Sequence, residues 1–309
     1  MQELVSMVSH PVKIAFVTDR GYLRPTLVAM WSLLEHLSRP AEVHFWGDDL
    51  SEADWQAVSR VAAIRPDCRL ITKALGAAEL GAFSWESTYI TAAAMGRLFL
   101  PRHVAGRILY VDGDTIIRGD VAPLFDLDLG GALIGAVRDD PTAKQMVKRG
   151  RGRKLRPAAV ERVDGIAAYT DPARYFNSGV LLLDCDRIRA TPGLLDQLED
   201  VSAASAFAMG DQDHLNAIFA NRTHLLNPAW NASWARAGLQ RDLSRALGAE
   251  ADELAPLPDT IIHFHGPRKP WLAPRRDLWN KTARATLSYR RQLRRYLRAF
   301  PDLAPPAKG

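Results

Sequence analysis

The stretch that most constrains the fold is Arg107 to Asp120, RILYVDGDTIIRGD. An apolar run, Ile108 to Val111, ends in Asp112 and Asp114, and a second apolar pair, Ile116-Ile117, follows. A short apolar run bounded by turn residues is the pattern of a strand buried on both faces. In open α/β sheets, ligands bind beyond the carboxyl ends of such strands, so both acids are expected at the rim of a central strand. Two carboxylates this close repel each other unless a positive charge lies between them. A hard divalent cation, Mg²⁺ or Mn²⁺, takes oxygen ligands and often uses one or two carboxylates with the phosphates of a substrate. The alternative is that one acid caps a turn and the other is solvated.

Length and composition set the frame. The 309 residues suffice for one large α/β domain or two small ones, and 47% hydrophobic with 24% charged residues is ordinary for a globular chain. No long apolar run occurs, so no membrane-spanning helix is expected. The N-terminus has no basic, apolar and small-residue leader, and Cys68 and Cys185 are too few for a disulfide framework. The expected compartment is the cytoplasm. The net charge of +5 is unevenly placed, with basic residues gathered at Lys144 to Arg156 and Arg275 to Arg298. Such clusters suit an acidic partner: phosphates, nucleic acid or an anionic membrane surface.

In chain order, Lys13 to Asp19 reads as a strand, Tyr22 to Leu37 as a helix with Pro25 in its first turn, and Val43 to Trp46 as a strand. Ser51 caps a helix through Val61. This alternation predicts a parallel sheet with helices on both faces. No dinucleotide fingerprint or P-loop follows the first strand. Thr88 to Leu100 reads as a helix stopped by Pro101, with Arg97 its one charge, either placed to reach a phosphate or sugar or simply snorkelling. Asp120 to Leu129 is loop-like and Ala132 to Val137 reads as a strand. Asp139 to Asp171 is polar, basic and weakly periodic, as a functional lid, a disordered insert or a solvated face would be.

Tyr175 to Asp184 is a strand entered through an Asn-Ser-Gly turn. Gly210 to Ala220 opens a helix with Asp211, Gln212 and Asp213 in its first turn. Acids there are favoured by the helix dipole, but Gln212 gains nothing from it. Ile261 to Trp271 reads as a strand ending in His263 and His265, then Gly266, Lys269 and Trp271. Residues two apart on a strand face one side, so both imidazoles are expected at the site unless the chain turns at Gly266. One neutral imidazole completes an acid-rich cation site, Gly266 lets backbone approach a diphosphate, and Lys269 places an ammonium on it. Leu278 to Phe300 reads as a basic amphipathic helix, suited to packing on the domain or to lying on anionic lipid.

The motifs RLFLP, YVDGDTII, YFNSGVLLLD, GDQDHLN and HFHGPRKPW, in that order, resemble the family 8 glycosyltransferases, the group of glycogenin, galactinol synthase and the bacterial lipopolysaccharide galactosyl- and glucosyltransferases. The resemblance covers roughly Lys13 to Trp271 and is poor across Asp139 to Asp171 and in the tail. It implies a GT-A fold, a Rossmann-like, mostly parallel central sheet with helices on both faces. It also implies a UDP-glucose or UDP-galactose donor, Mn²⁺ (or Mg²⁺) and retention of anomeric configuration. The expected acceptor is a saccharide or glycolipid, such as lipopolysaccharide or another bacterial surface glycan, and nucleic acid is not an expected partner. Carried over by motif, Asp112, Asp114 and His263 would hold the metal, while Lys269 and the Gly266 backbone would bind the diphosphate. Asp19 and Tyr22 would hold the uridine, Tyr22 by stacking on uracil, with Thr18, Gly113 and Gly179 lining the donor. Arg97, Asn177, Asp211 and Gln212 would surround the donor sugar, with Asp211 and Gln212 the catalytic candidates. Two departures stand out: Arg20-Gly21 replaces a small polar pair, and His265 stands where relatives carry an apolar or small residue. Residues 1–274 are then the transferase domain, 139–171 a variable basic insert serving as an acceptor lid, and 275–309 a basic helix and tail. Two rival readings are a haloacid-dehalogenase-like phosphatase, whose D-x-D-x-[TV] motif Asp112, Asp114 and Thr115 satisfy, and a non-catalytic nucleotide-sugar binder.

Overall fold

A computed structural model describes residues 10–76, 92–272 and 283–303. The chain opens with β1 (Val12–Asp19), α1 (Leu23–His36), β2 (Ala41–Asp48), α2 (Glu52–Ala62) and β3 (Cys68–Ala74). Ser51 starts α2 through a capping box: its hydroxyl accepts from Asp54 N, and Asp54 Oδ2 accepts from Ser51 N at 2.8 Å. Next come β4 (Arg107–Val111), β5 (Thr115–Ile117), β6 (Ile134–Arg138), α3 (Asp140–Gly150), α4 (Pro157–Ala167) and β7 (Phe176–Asp184). After three short helices follow α5 (Asp211–Ile218), β8 (Thr223–Leu225), β9 (Ala232–Ser233), α6 (Ala237–Ala246), β10 (Ile261–His263) and α7 (Ala283–Ala299).

Seven strands form one sheet in the order β3-β2-β1-β4-β7-β6-β8, and β5, β10 and β9 form a small second sheet. In the large sheet β7 runs antiparallel to β4 and β6, and every other pair is parallel. Side chains alternate across β1: Ile14 and Phe16 join α1 and α2 in one core, while Ala15 and Val17 join Leu98 and Leu215 in the other. Apolar side chains on both faces explain why the strands read as unbroken hydrophobic runs. Asp112 and Asp114 leave the end of β4, at the rim expected for them.

Four expectations about elements need correction. The helix over 88–100 is a single turn, Ala92–Met95, then a 3₁₀ turn, Gly96–Phe99, and residues 88–91 lie outside the described residues. Pro101 does not stop it but sits in the first turn of Leu100–His103, where no amide donor is needed. The 139–171 segment is not a disordered insert but the helix pair α3–α4. Asp139 caps α3, accepting from Thr142 N at 2.9 Å, and Pro157 opens α4. Sparse apolar residues at helical spacing, Ala143 with Val147 and Val163 with Ile166, are buried beneath the charged surface. Asn177-Ser178-Gly179 is not a turn before β7 but part of it, at a register shift against β6. Finally, β10 stops at His263, sooner than expected.

The C-terminal helix α7 packs on the main core. Tyr296 and Tyr289 are buried, and the Tyr296 ring lies 6.0 Å from Trp31 of α1. Arg295 pairs with Glu35 at 2.8 Å. Of the two placements expected for its apolar face, packing on the domain is the one seen, leaving arginines outward; residues 278–282 of that expected helix are outside the described residues. Among the described residues, no helix is long and apolar enough to cross a membrane. Cys68 and Cys185 are free thiols.

Candidate active site

The ends of β4 and β10 bring three candidate ligands together. One oxygen each from Asp112 and Asp114 and a nitrogen of His263 lie within 4.8 Å of one another. His263 Nε2 is 3.0 Å from Asp114 Oδ1 and 3.7 Å from Asp112 Oδ2. Asp112 is the open member, its side chain 23% exposed against 9% for Asp114 and 2% for His263. His263 Nδ1 donates to Asn231 Oδ1 at 2.9 Å, which leaves Nε2 facing the carboxylates and available to a cation between them. Two hard carboxylates and one oriented imidazole fit Mn²⁺ or Mg²⁺ well. Burial pushes the Asp114 carboxyl up, but His263 and Lys269 outweigh that and hold it far below the usual range, so it stays ionised. Gly179 makes room for this cluster: a Cβ there would lie 2.2 Å from His263 Cε1 and 2.6 Å from Asp112 Oδ2.

A second set of groups lies on the β7 and α5 side. Arg97 is buried between two acids, 3.2 Å from Asp112 Oδ1 and 3.2 Å from Asp211 Oδ2. Its Nη1 donates to Ser178 O at 2.9 Å, and its guanidinium lies 4.5 Å from the Tyr110 ring centre. Burial works against the charge, but Asp112 and Asp211 hold the guanidinium pKa above normal. Arg97 is therefore not a snorkelling surface residue. Asp213 accepts from Met209 N at 2.9 Å and takes the helix-end task, while Asp211 faces Arg97. Burial pushes the Asp211 carboxyl up against the pull of Arg97. Gln212 Oε1 accepts from Asn177 Nδ2 at 3.1 Å and from Ser178 N at 3.2 Å.

The third set lies where β1 enters α1. Lys269 Nζ donates to Asp114 Oδ2 at 2.5 Å and to Phe264 O at 3.2 Å, and stands 5.7 Å from the Tyr22 ring centre. Burial opposes its charge, and Asp114 and Tyr22 together more than offset that. Tyr22 packs edge-on against Trp271, and Asp19 Oδ1 accepts from Tyr22 N at 2.8 Å. Gly266 has φ +87, a conformation suited to glycine, with open space around it. Two residues expected to line the donor face inward instead. Thr18 is buried, accepting from Thr26 Oγ1 at 3.0 Å, because the first helical turn closes over it. Gly113 packs on the same residue: a Cβ there would lie 2.1 Å from Thr26 Oγ1. Both support the site from below.

His265 is not in the cluster of three ligands. Its ring packs 5.4 Å from that of His263, and its Nε2 meets Ser233 Oγ at 2.7 Å. Burial, then His263, push it down to about 4, so it is neutral. Tyr110 and Asn231 were missed by sequence reasoning. Tyr110 gave a usable signal, a polar-tipped aromatic two residues before Asp112 on a strand. Asn231 gave none beyond an N-x-S triplet. A hollow of about 520 Å³, lined by Gly131, Arg174, Arg222 and Glu250 among others, lies at the amino ends of β6 and β8, away from every group above.

A mostly parallel sheet with a D-x-D pair at the rim of its central strand defines the GT-A class of fold. The chain belongs to glycosyl transferase family 8, whose family model matches residues 13–274. General stress protein A of Bacillus subtilis (strain 168) is 28% identical over 193 residues, 60% of this chain and 61% of that protein. Lipopolysaccharide 1,2-glucosyltransferase of Escherichia coli (strain K12) is 27% identical over 172 residues, 53% of this chain and 44% of that protein. The chain thus aligns with less than two thirds of the length of either relative. The solved galactosyltransferase LgtC, in complex with donor and acceptor sugar analogs, shares the fold with a TM-score of 0.66 at 22% identity, covering 93% of this chain and 99% of that one. Family membership leaves the phosphatase reading without support.

Proposed function

We propose that this protein is a retaining glycosyltransferase that moves glucose or galactose from a UDP-sugar to a saccharide hydroxyl, with Mn²⁺ or Mg²⁺ held by Asp112, Asp114 and His263. The observation that carries the reading is the meeting of those three residues with Lys269 at the strand ends, the nearest ion pair being Lys269–Asp114 at 2.5 Å. Breaking the sugar–phosphate bond builds negative charge on the leaving UDP. A divalent ion held by Asp112, Asp114 and His263 would supply Lewis-acid stabilisation of that charge. Lys269, fixed by Asp114 and the Phe264 carbonyl, adds a preorganised ammonium on the diphosphate. Tyr22 and Asp19 receive the uridine, and the bare backbone at Gly266 admits the phosphates. Asn177 and Gln212 face the donor sugar. Asp211 is 3% exposed and ion-paired, so in this reading it holds Arg97 in place while Gln212 is the group beside the anomeric carbon.

The acceptor is a bacterial surface saccharide or glycolipid, a reading supported by the lipopolysaccharide glucosyltransferase among the relatives. The exposed Arg151, Arg153 and Lys154 between α3 and α4 suit an acidic glycan. The exposed Arg291, Arg294 and Arg298 of α7 suit an anionic membrane surface on the cytoplasmic side. The test is to incubate the protein with UDP-glucose or UDP-galactose and a panel of saccharides and follow UDP release and product anomer. Metal-dependent release and a product keeping the donor configuration support the reading. Binding of UDP-sugar with no turnover under any condition would replace it with a non-catalytic binder.

A further inference from the structure

The register shift between β6 and β7 sets Leu181 opposite Ala136 and Asn177 opposite Val137. Ser178 and Gly179 therefore fall outside the β6 ladder, and their amides turn to side chains. Ser178 N donates to Gln212 Oε1 at 3.2 Å and Gly179 N donates to Asn177 Oδ1 at 3.1 Å. A backbone amide is only ever a donor, so these two bonds fix which end of each side-chain amide is oxygen. Asn177 Nδ2 then donates to Gln212 Oε1 at 3.1 Å. Asn177 Oδ1 accepts a second bond, from Asn231 Nδ2 at 2.9 Å. That orients Asn231 Oδ1 toward His263 Nδ1 at 2.9 Å, so Nδ1 carries a proton and Nε2, facing Asp112 and Asp114, is the nitrogen left for a metal. At the other end Gln212 Nε2 donates to the Tyr175 hydroxyl at 3.0 Å, which donates to Asp213, itself held by Arg162.

We propose that Asn231 is a positioning residue that couples the metal site to Gln212: it fixes the His263 tautomer on one side and orients Asn177, and through it Gln212, on the other. The inference rests on the transferase reading for its catalytic half and on the metal assignment for the other. Asn231 is 3% exposed, and both ends of its side-chain amide are engaged, Nδ2 by Asn177 and Oδ1 by His263. Without its oxygen the ring proton of His263 is free to sit on Nε2, where it blocks the lone pair. Outer partners of metal-bound imidazoles carry about 10–100-fold in metal affinity.

Two variants separate the two roles. Asn231→Ala removes both bonds. Asn231→Asp keeps an acceptor for His263 Nδ1 but has no N–H for Asn177 Oδ1. The measurements are calorimetric titration of Mn²⁺ alone into the metal-free protein, kcat and KM for UDP-sugar turnover, and a melting curve. Asn231→Ala is expected to raise the Mn²⁺ Kd about tenfold or more and to lower kcat. Asn231→Asp is expected to restore the Mn²⁺ Kd and leave kcat low with KM little changed. An alanine variant that matches wild type in Kd and kcat overturns the proposal. So does an aspartate variant that recovers kcat along with Kd, because the link through Asn177 would then do nothing. Should the alanine variant not fold, the isosteric aspartate decides. If wild type itself consumes no UDP-sugar, the transferase reading fails, while the Mn²⁺ Kd values still decide the role of Asn231 at His263.

Discussion

At the scale of single residues, Gly179 has the least freedom at the site. Its absent side chain is where His263 and Asp112 come close, so Gly179→Ala forces the ligands apart rather than bending an exposed loop. We expect this variant to bind Mn²⁺ at least about tenfold more weakly, as measured by calorimetry, with a melting curve that remains cooperative; unchanged affinity would show that the cluster relaxes freely. The meeting of Asp112, Asp114 and His263 was legible in the sequence because hard acids after an apolar strand and a histidine at the end of a second strand are chemically distinctive. Gly179 was legible only as part of a motif, since a glycine carries no chemistry and its reason lies in two other strands. Asn231 was not legible at all: its partners His263 and Asn177 are 32 and 54 residues away, and only the fold pairs them.

At the scale of elements, α7 settles on the core, one of the two placements its sequence allowed. Arginine-rich helices read from sequence offer an apolar face without saying what covers it, and here α1 and the Phe264–Trp271 segment cover it. Tyr289 lies 5.4 Å from Phe264 and 5.3 Å from Trp271, so the helix braces the segment that carries Lys269. Tyr296→Ala should cost about 3 kcal/mol in denaturant unfolding, as for a large buried aromatic. Tyr296→Phe should be neutral or stabilising, because the buried hydroxyl has no hydrogen-bond partner among the described residues. A large loss in the phenylalanine variant would show that the hydroxyl is bonded after all. The α3–α4 pair was hidden for a different reason: few apolar residues lie among many cations, so the period is faint although the caps at Asp139 and Pro157 are local and readable.

At the scale of the whole molecule, the mostly parallel sheet was legible because strand and helix alternate from β1 to β3 with clean boundaries. The order beyond β4 was not, because the antiparallel insertion of β7 depends on contacts distant in sequence. The fold also buries neutral histidines, and burial lowers the pKa of both His44 and His214. Such a group stays neutral in the fold while the unfolded chain takes up a proton below about pH 6.5. Stability is therefore full above pH 6.5 and is lost as the pH falls toward the folded pKa values. The melting temperature should drop between pH 7 and pH 5, and His214→Leu should make that drop smaller; an identical drop in the variant would assign it elsewhere.

The most direct test of the site is calorimetric titration of UDP-glucose and UDP-galactose into wild type and Asp112→Asn, each with Mn²⁺ and with chelator. We expect wild type to bind one or both donors only when Mn²⁺ is present, and Asp112→Asn to lose that binding while melting near the wild-type temperature. Equal binding with chelator, or unaltered binding in Asp112→Asn, would contradict the assignment of Asp112, Asp114 and His263 to the metal of a sugar-nucleotide site.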